Sequence, residues 1–209
     1  MGEALPTLYL ARHGETAWSL SGQHTGHTDL PLTERGERNA ASLGKVLHGN
    51  NVLCGHAFSR VFTSPLQRAR RTCELAGYGA MAGVDPDLTE WNYGQYEGLT
   101  TAEIRRQRPD WDLFRDGCPG GESIAEVTAR AERVIERVRR IGEDVLLFSS
   151  GHFLRVLTVR WLGLDTIHGR YLYLSTATLS ILGYDHNLSE PVIRLWNDDR
   201  HVCESKDHR

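Results

Sequence analysis

Arg12-His13-Gly14-Glu15-Thr16 follows directly on the apolar run Leu8-Tyr9-Leu10-Ala11. The run predicts a short buried strand whose carboxyl end delivers an arginine and a histidine into a turn opened by glycine. In an open α/β sheet, ligands bind at that end of a strand. A guanidinium offers phosphate a planar fork of donors, and a neutral imidazole offers a nucleophilic nitrogen. Alone, an Arg-His-Gly tripeptide is more often a surface arginine and a turn histidine. Its meaning therefore depends on what other segments supply.

Three segments add reactive side chains. Thr63-Ser64-Pro65-Leu66-Gln67-Arg68 reads as a strand running into a helix, with Ser64 as N-cap and Pro65 at the first helical position. Arg68 then stands in the first turn, where the helix dipole and free N–H groups favour an anion. Arg70 and Arg71 read as a solvated face. Between Leu88 and Gly98, Glu90 lies among Trp91, Tyr93 and Tyr96, surroundings that can raise a carboxyl towards a general-acid role. A lone glutamate is more often a surface charge, so this segment counts only in company. Ser149-Ser150-Gly151-His152-Phe153-Leu154-Arg155 again runs a strand into a helix through glycine. His24 and His27 have His-x-x-His spacing without a third ligand near in sequence, so no metal site is expected there.

These residues need a scaffold, and 209 residues suffice for one substantial core. Short apolar runs alternate with amphipathic stretches, the pattern of an α/β layered domain. Ser19 to Leu32 reads as a polar loop. Thr33 is expected to cap a helix with Ala40, Leu43 and Leu47 on one face, ended by Gly49. Ala57 to Thr63 reads as the next strand, and Gly77 closes the helix after it. Asp85 to Gly121 is irregular, with one short helix opened by the capping box Thr100-x-x-Glu103; it is expected to cover the substrate. A second box, Ser123-x-x-Glu126, opens a helix whose Ile124, Val127, Ala131, Val134, Val138 and Ile141 form a buried stripe ending at Gly142. Asp144 to Ser149 reads as a strand and Phe153 to Leu162 as a helix. Thr178 to Tyr184 and Val192 to Trp196 read as late strands, suited to a hairpin at a sheet edge. Residues 1–197 are expected to form one domain and 198–209 a polar, flexible tail.

Lys plus Arg number 24 against 27 Asp plus Glu, a formal net charge of −3. That balance argues against a general nucleic-acid binder and confines any basic feature to a pocket. Cys54, Cys73, Cys118 and Cys203 form no Cys-x-x-Cys pair and read as free thiols of a reducing compartment. No apolar run is long enough to span a membrane, and no signal-peptide core is visible. A cytoplasmic protein without a membrane or nucleic-acid partner is expected.

The motifs occur together and in one order. Arg12-His13-Gly14-Glu15-Thr16-x-Trp18 comes first, then Thr25-Gly26-His27-Thr28-Asp29-Leu30-Pro31-Leu32-Thr33. Ser64-Pro65-Leu66-x-Arg68-Ala69 and Glu90-Trp91-x-Tyr93-Gly94-x-Tyr96-Glu97-Gly98 follow. In these the chain, from Leu8 to about Leu164, resembles the histidine phosphatase superfamily, the group that includes cofactor-dependent phosphoglycerate mutases. The resemblance implies a three-layer α/β/α sandwich with a mostly parallel central sheet. It implies that His13 attacks phosphorus in line and becomes a transient phosphohistidine. Arg12 and Arg68 would hold the equatorial oxygens. Glu90 would protonate the departing alkoxide, then take a proton from the hydrolytic water. Ser19, Thr25, Gly26 and Tyr93 match positions lining the substrate pocket, with Gly151 beside them; Ser19 stands where many mutases have asparagine. No metal or other cofactor is implied, since two guanidiniums meet the phosphoryl charge. The implied partner is a small phosphorylated substrate, and a homodimer is left open.

One position departs from the resemblance. The family usually carries a second histidine where this chain has Ser150, and that imidazole donates to the phosphoryl oxygens. Loss of such a donor commonly costs about a hundredfold in rate. His152, two residues on, is expected to point away from Ser150. Three explanations stay open: a variant weakened to trap a ligand, a natural low-activity member, or an inactive binding protein. Retention of His13, both arginines and Glu90 favours a weakened or engineered phosphatase. Mutases of this family carry a longer insertion between the Glu90 and Ser150 positions, so the compact connection here favours hydrolysis, with mutase-type transfer as the alternative. The motifs are most similar to those of sugar-phosphate phosphatases akin to sedoheptulose bisphosphatase.

Overall fold

The computed structural model describes residues 5–49 and 58–202. The strands are β1 (Leu8–Arg12), β2 (Arg60–Thr63), β3 (Gly83–Val84), β4 (Val145–Ser149), β5 (Leu179–Tyr184) and β6 (Pro191–Asp198). The helices are α1 (Ala17–Ser21), α2 (Glu34–His48), α3 (Gln67–Leu75), α4 (Thr101–Gln107), α5 (Leu113–Asp116), α6 (Ile124–Ile141) and α7 (Gly151–Trp161). They build a mixed six-stranded sheet in the order β3-β2-β4-β1-β5-β6. The first four strands of that order run parallel, while β5 is antiparallel to β1 and to β6.

Alternation along β1 creates two cores. Leu8 and Leu10 join Val127, Val134 and Val138 of α6 and Phe153, Leu157 and Trp161 of α7 on one face. Tyr9 and Ala11 join Leu43 and Leu47 of α2 and Cys73 of α3 on the other. A strand buried on both faces has no polar side to show, which is why Leu8 to Ala11 is continuously apolar. The chain therefore leaves β1 through α2 on one face and leaves the adjacent β4 through α7 on the opposite face. Between those two strand ends lies the crevice that such topology opens for a ligand.

The caps expected at Thr33, Thr100 and Ser123 all form, and the α6 stripe is buried or half-buried along its length. Other boundaries differ. β2 starts at Arg60, and Ala57, like Cys54 and Cys203, lies outside the described residues. Ser64 is not the cap of α3. Its amide still pairs with Phe148 O at 2.9 Å, so the strand ladder holds it, and the helix starts at Gln67. The Gln67 amide is met instead by Asp29 Oδ1 at 2.8 Å, from a loop remote in sequence. The expected loop after Ser19 contains the end of α1, a helix that Thr16 and Ser19 open with a reciprocal capping box. The irregular middle holds a second short helix, α5, capped by Asp112. Helix α7 starts at Gly151, two residues before the expected point. The late hairpin forms at one edge of the sheet as expected, with β6 outermost and β5 paired inward to β1. Asp198, expected to begin a loose tail, is the buried last residue of β6 and ion-pairs with Arg200.

Arg70 and Arg71 are exposed as expected. Cys73 is buried and Cys118 half-buried; both are unpaired, and burial pushes each thiol up to about 12. Among the described residues, no helix is long and apolar enough to cross a membrane.

Candidate active site

The carboxyl ends of β1 and β4 lie side by side, with Arg12 opposite Ser149 and the His13 amide donated to Ser149 O at 2.9 Å. The turn after His13 is fixed by two contacts. Gly14 N donates to Thr72 Oγ1 at 2.9 Å, and a Cβ on Gly14 would stand 2.6 Å from Gly36 O of α2. Only glycine lets that helix approach so closely. His13 itself is buried, with Nδ1 2.7 Å from Gly14 O. A carbonyl can only accept, so Nδ1 carries the proton and Nε2 keeps its lone pair. Burial first, then the charges of Arg68 and Arg12, hold the imidazole well below its ordinary value. The ring is therefore neutral at neutral pH, with the lone pair of Nε2 available.

Both arginines are aimed by backbone carbonyls. Arg68 Nη2 donates to Thr25 O and Gly26 O, and Nη1 to Thr28 O, each at 2.9 Å. Arg12 Nη1 donates to Leu174 O. The Nε of each is buried without a partner. Burial lowers both guanidiniums from their ordinary value. Among the described residues no carboxylate lies within ion-pair distance of either, whereas the similarly buried Arg130 is paired with Glu122. One fully buried and one half-buried cation, neither paired with a carboxylate, stand beside a neutral imidazole, an arrangement that suits a dianion.

Glu90 closes the site from the irregular segment. Its Oε1 accepts from Trp91 N at 2.9 Å and Phe153 N at 2.7 Å, and Oε2 from His152 N at 3.0 Å. The last two are free amides at the start of α7. Its setting is therefore a helix N-terminus, which the aromatic neighbours in the sequence did not reveal.

A cleft of ≈ 220 Å³ is lined by Arg12, His13 and Glu90, together with the expected Ser19, Thr25, Tyr93 and Gly151. A Cβ on Gly151 would stand 3.1 Å from Arg12 Cζ, so this glycine admits the guanidinium. Three expected residues lie off the cleft surface. Arg68 is fully buried beside it. Gly26 contributes backbone only: its amide meets Glu97 at 2.9 Å and its carbonyl holds Arg68. Ser150 is fully buried, and its Oγ has no partner.

His152, expected to point away from Ser150, lines the cleft while Ser150 lies buried off it. Tyr93 Oη lies 2.6 Å from His152 Nδ1, and burial raises this phenol well above its ordinary value. His24 also lines the cleft, and burial lowers it to about 4. His27, at His-x-x-His spacing from it, lines a separate pocket that Glu90 also borders. Arg155 completes the wall, with its guanidinium 4.5 Å from the Phe114 ring centre and its value lowered by burial to about 10. It stands four residues after Gly151, a spacing that puts both on one helix face and could have pointed to it. His24 had no such signal, because pairing of its backbone with Gly98 and Leu99 brings it there.

Residues 8–199 match the model of the histidine phosphatase superfamily, branch 1. The chain is 40% identical over 192 residues to an acid phosphatase of Mycobacterium tuberculosis, covering 91% of this chain and 92% of that one. It is 37% identical over 191 residues to sedoheptulose 1,7-bisphosphatase of Saccharomyces cerevisiae, covering 78% and 70%. It is 31% identical over 190 residues to a probable phosphoglycerate mutase of Photorhabdus laumondii, covering 86% of each. A solved structure of a Mycobacterium tuberculosis open reading frame superposes with a TM-score of 0.84 at 38% identity, covering 91% of this chain and 96% of that one.

Proposed function

The chain belongs to the histidine phosphatase superfamily, branch 1, and on that premise we propose that it hydrolyses a small sugar phosphate through a phosphohistidine on His13. The observation that carries this reading is the pair of guanidiniums, each with a buried, partnerless Nε and no carboxylate partner, beside a neutral imidazole whose Nδ1 proton is already committed. Nε2 attacks phosphorus; as the N–P bond forms, the bond to the ester oxygen breaks and its electron pair leaves with the alkoxide. Glu90 delivers a proton to that oxygen. Water then attacks the phosphohistidine, gives a proton to Glu90, and returns the N–P electron pair to Nε2. Arg12 and Arg68 balance the charge of the phosphoryl group throughout, so the scheme calls on no metal.

Hydrolysis is favoured over mutase-type transfer by the compact connection between Glu90 and Ser150 and by the higher identity to relatives called phosphatases. A sugar phosphate suits the cleft, where Gln23, Thr101 and His152 offer neutral hydrogen-bonding groups to hydroxyls while Arg155 adds a cation. One named relative is a sugar bisphosphatase. Ser150, short and uncharged, supplies no cation to the phosphoryl oxygens, which makes the chain a weakened phosphatase. The test is phosphate release across a sugar-phosphate panel, comparing the chain with Ser150→His. Acid-labile phosphate on His13 and a gain of about a hundredfold in the variant are expected. If both proteins bind sugar phosphates without turnover, the binding-protein reading replaces this one. An active chain with no gain in the variant would overturn the role given to Ser150.

A further inference from the structure

Glu90 is held from behind by one buried ion pair. Arg130 of α6 meets Glu122 bidentately, Nε to Oε1 at 2.8 Å and Nη2 to Oε2 at 2.6 Å. Its Nη1 donates to Asp87 O at 2.9 Å and to Thr89 O, the carbonyl just before Glu90. Glu122 grips the chain after Glu90: its carbonyl accepts Trp91 Nε1 at 2.8 Å, and its amide donates to Asn92 O at 2.9 Å. The Arg130 guanidinium also lies 4.4 Å from the centre of the Phe153 ring, and Phe153 N is a donor to Glu90. Both flanks of Glu90 and the helix start that binds its carboxylate thus converge on Arg130 and Glu122.

We infer that Arg130 and Glu122 are positioning residues for proton delivery by Glu90, an inference that rests on the reaction proposed above. Neither touches the ester. They fix the peptide that carries the acid and the helix end that receives it, and catalysis by a proton donor is sensitive to such placement. Arg130 spends its planar fork on four acceptors at once, which a lysine ammonium cannot reproduce. The exposed rungs of the same helix face differ. Arg133 meets Asp87 at 2.7 Å without reaching Glu90 or its immediate neighbours, and it serves as the control.

The test uses leaving groups of different need. A sugar phosphate expels an alkoxide and requires the proton, whereas p-nitrophenyl phosphate expels a stable phenolate and needs it little. Initial rates of phosphohistidine formation on both esters are compared for the unsubstituted chain, Glu90→Gln, Arg130→Lys, Glu122→Gln and Arg133→Ala. Glu90→Gln and Arg130→Lys are expected to slow the sugar ester about tenfold or more beyond any effect on the aryl ester, with Arg133→Ala showing no such difference. Glu122→Gln keeps its size and both backbone contacts, so it carries the same test if Arg130→Lys does not fold. Selective loss in Glu90→Gln with equal losses on both esters, or none, in the Arg130 and Glu122 variants would overturn the inference alone. Equal losses in Glu90→Gln, or no phosphohistidine from the unsubstituted chain, would overturn the proposed reaction and the inference with it.

Discussion

At the scale of single residues, the site works by committing donors in advance. His13 Nδ1 is tied to Gly14 O, so in the proposed reaction Nε2 needs no tautomer change before attack. Arg68 is held by three loop carbonyls and so presents a fixed edge instead of a mobile charge. This distinction can be measured with Arg68→Lys, which keeps the charge and removes the fork. Loss of aimed donors of this kind is expected to lower kcat by about a hundredfold. Loop carbonyls left with fewer donors should also reduce stability by about 1–3 kcal/mol. Steady-state kinetics with thermal unfolding separates the two effects. An unchanged kcat would show that charge alone suffices and that the carbonyl cradle has no catalytic part.

At the scale of elements, close packing sets the position of His13, the proposed nucleophile. Helix α2 lies against the turn after β1 because neither Gly14 nor Gly36 has a side chain; a Cβ on Gly14 would stand 2.6 Å from Gly36 O, and one on Gly36 would press on the Glu15 backbone. Gly36→Ala should therefore destabilise the fold by about 1–3 kcal/mol, since backbone can yield only by moving the helix or the turn. Its activity should fall further than the unfolded fraction explains, because the displaced turn carries His13. A Tm shift with unchanged kcat in the folded protein would refute that coupling. What could be foreseen follows the same physics. A continuous apolar run marked β1, periodicity marked α2 and α6, and local capping chemistry marked Thr33, Thr100 and Ser123, because those signals are confined to neighbouring residues. The cap on α3 could not be foreseen: it comes from Asp29, and Ser64 is engaged by a strand more than eighty residues on. Likewise Arg12, His13, Arg68 and Glu90 were visible as motifs, while His24, brought in by loop pairing, and the exchange between Arg130 and Glu122 were not.

At the scale of the whole molecule, cationic and neutral groups are gathered at one end of a chain whose net charge is negative. Three imidazoles lie there, His13 and His24 buried and His152 half-buried, and each is lowered from its ordinary value, chiefly by desolvation. Keeping them neutral suits a site already holding Arg12, Arg68 and Arg155, and it links stability to pH. For His24 the unfolded chain takes up a proton below about 6.5, while the folded chain resists until about 4. Between those values the unfolded state binds more protons, so stability falls as pH falls through that window. The shift corresponds to on the order of 3 kcal/mol lost by its lower end, and His13 and His152 act in the same direction. Denaturant midpoints measured from pH 7.5 to 4 should therefore drop steadily below pH 6.5. In His24→Gln the slope should be shallower by one proton's worth over that range, whatever the variant's stability at pH 7.5. An unaltered slope would mean that His24 titrates alike in both states and that its burial carries no linkage.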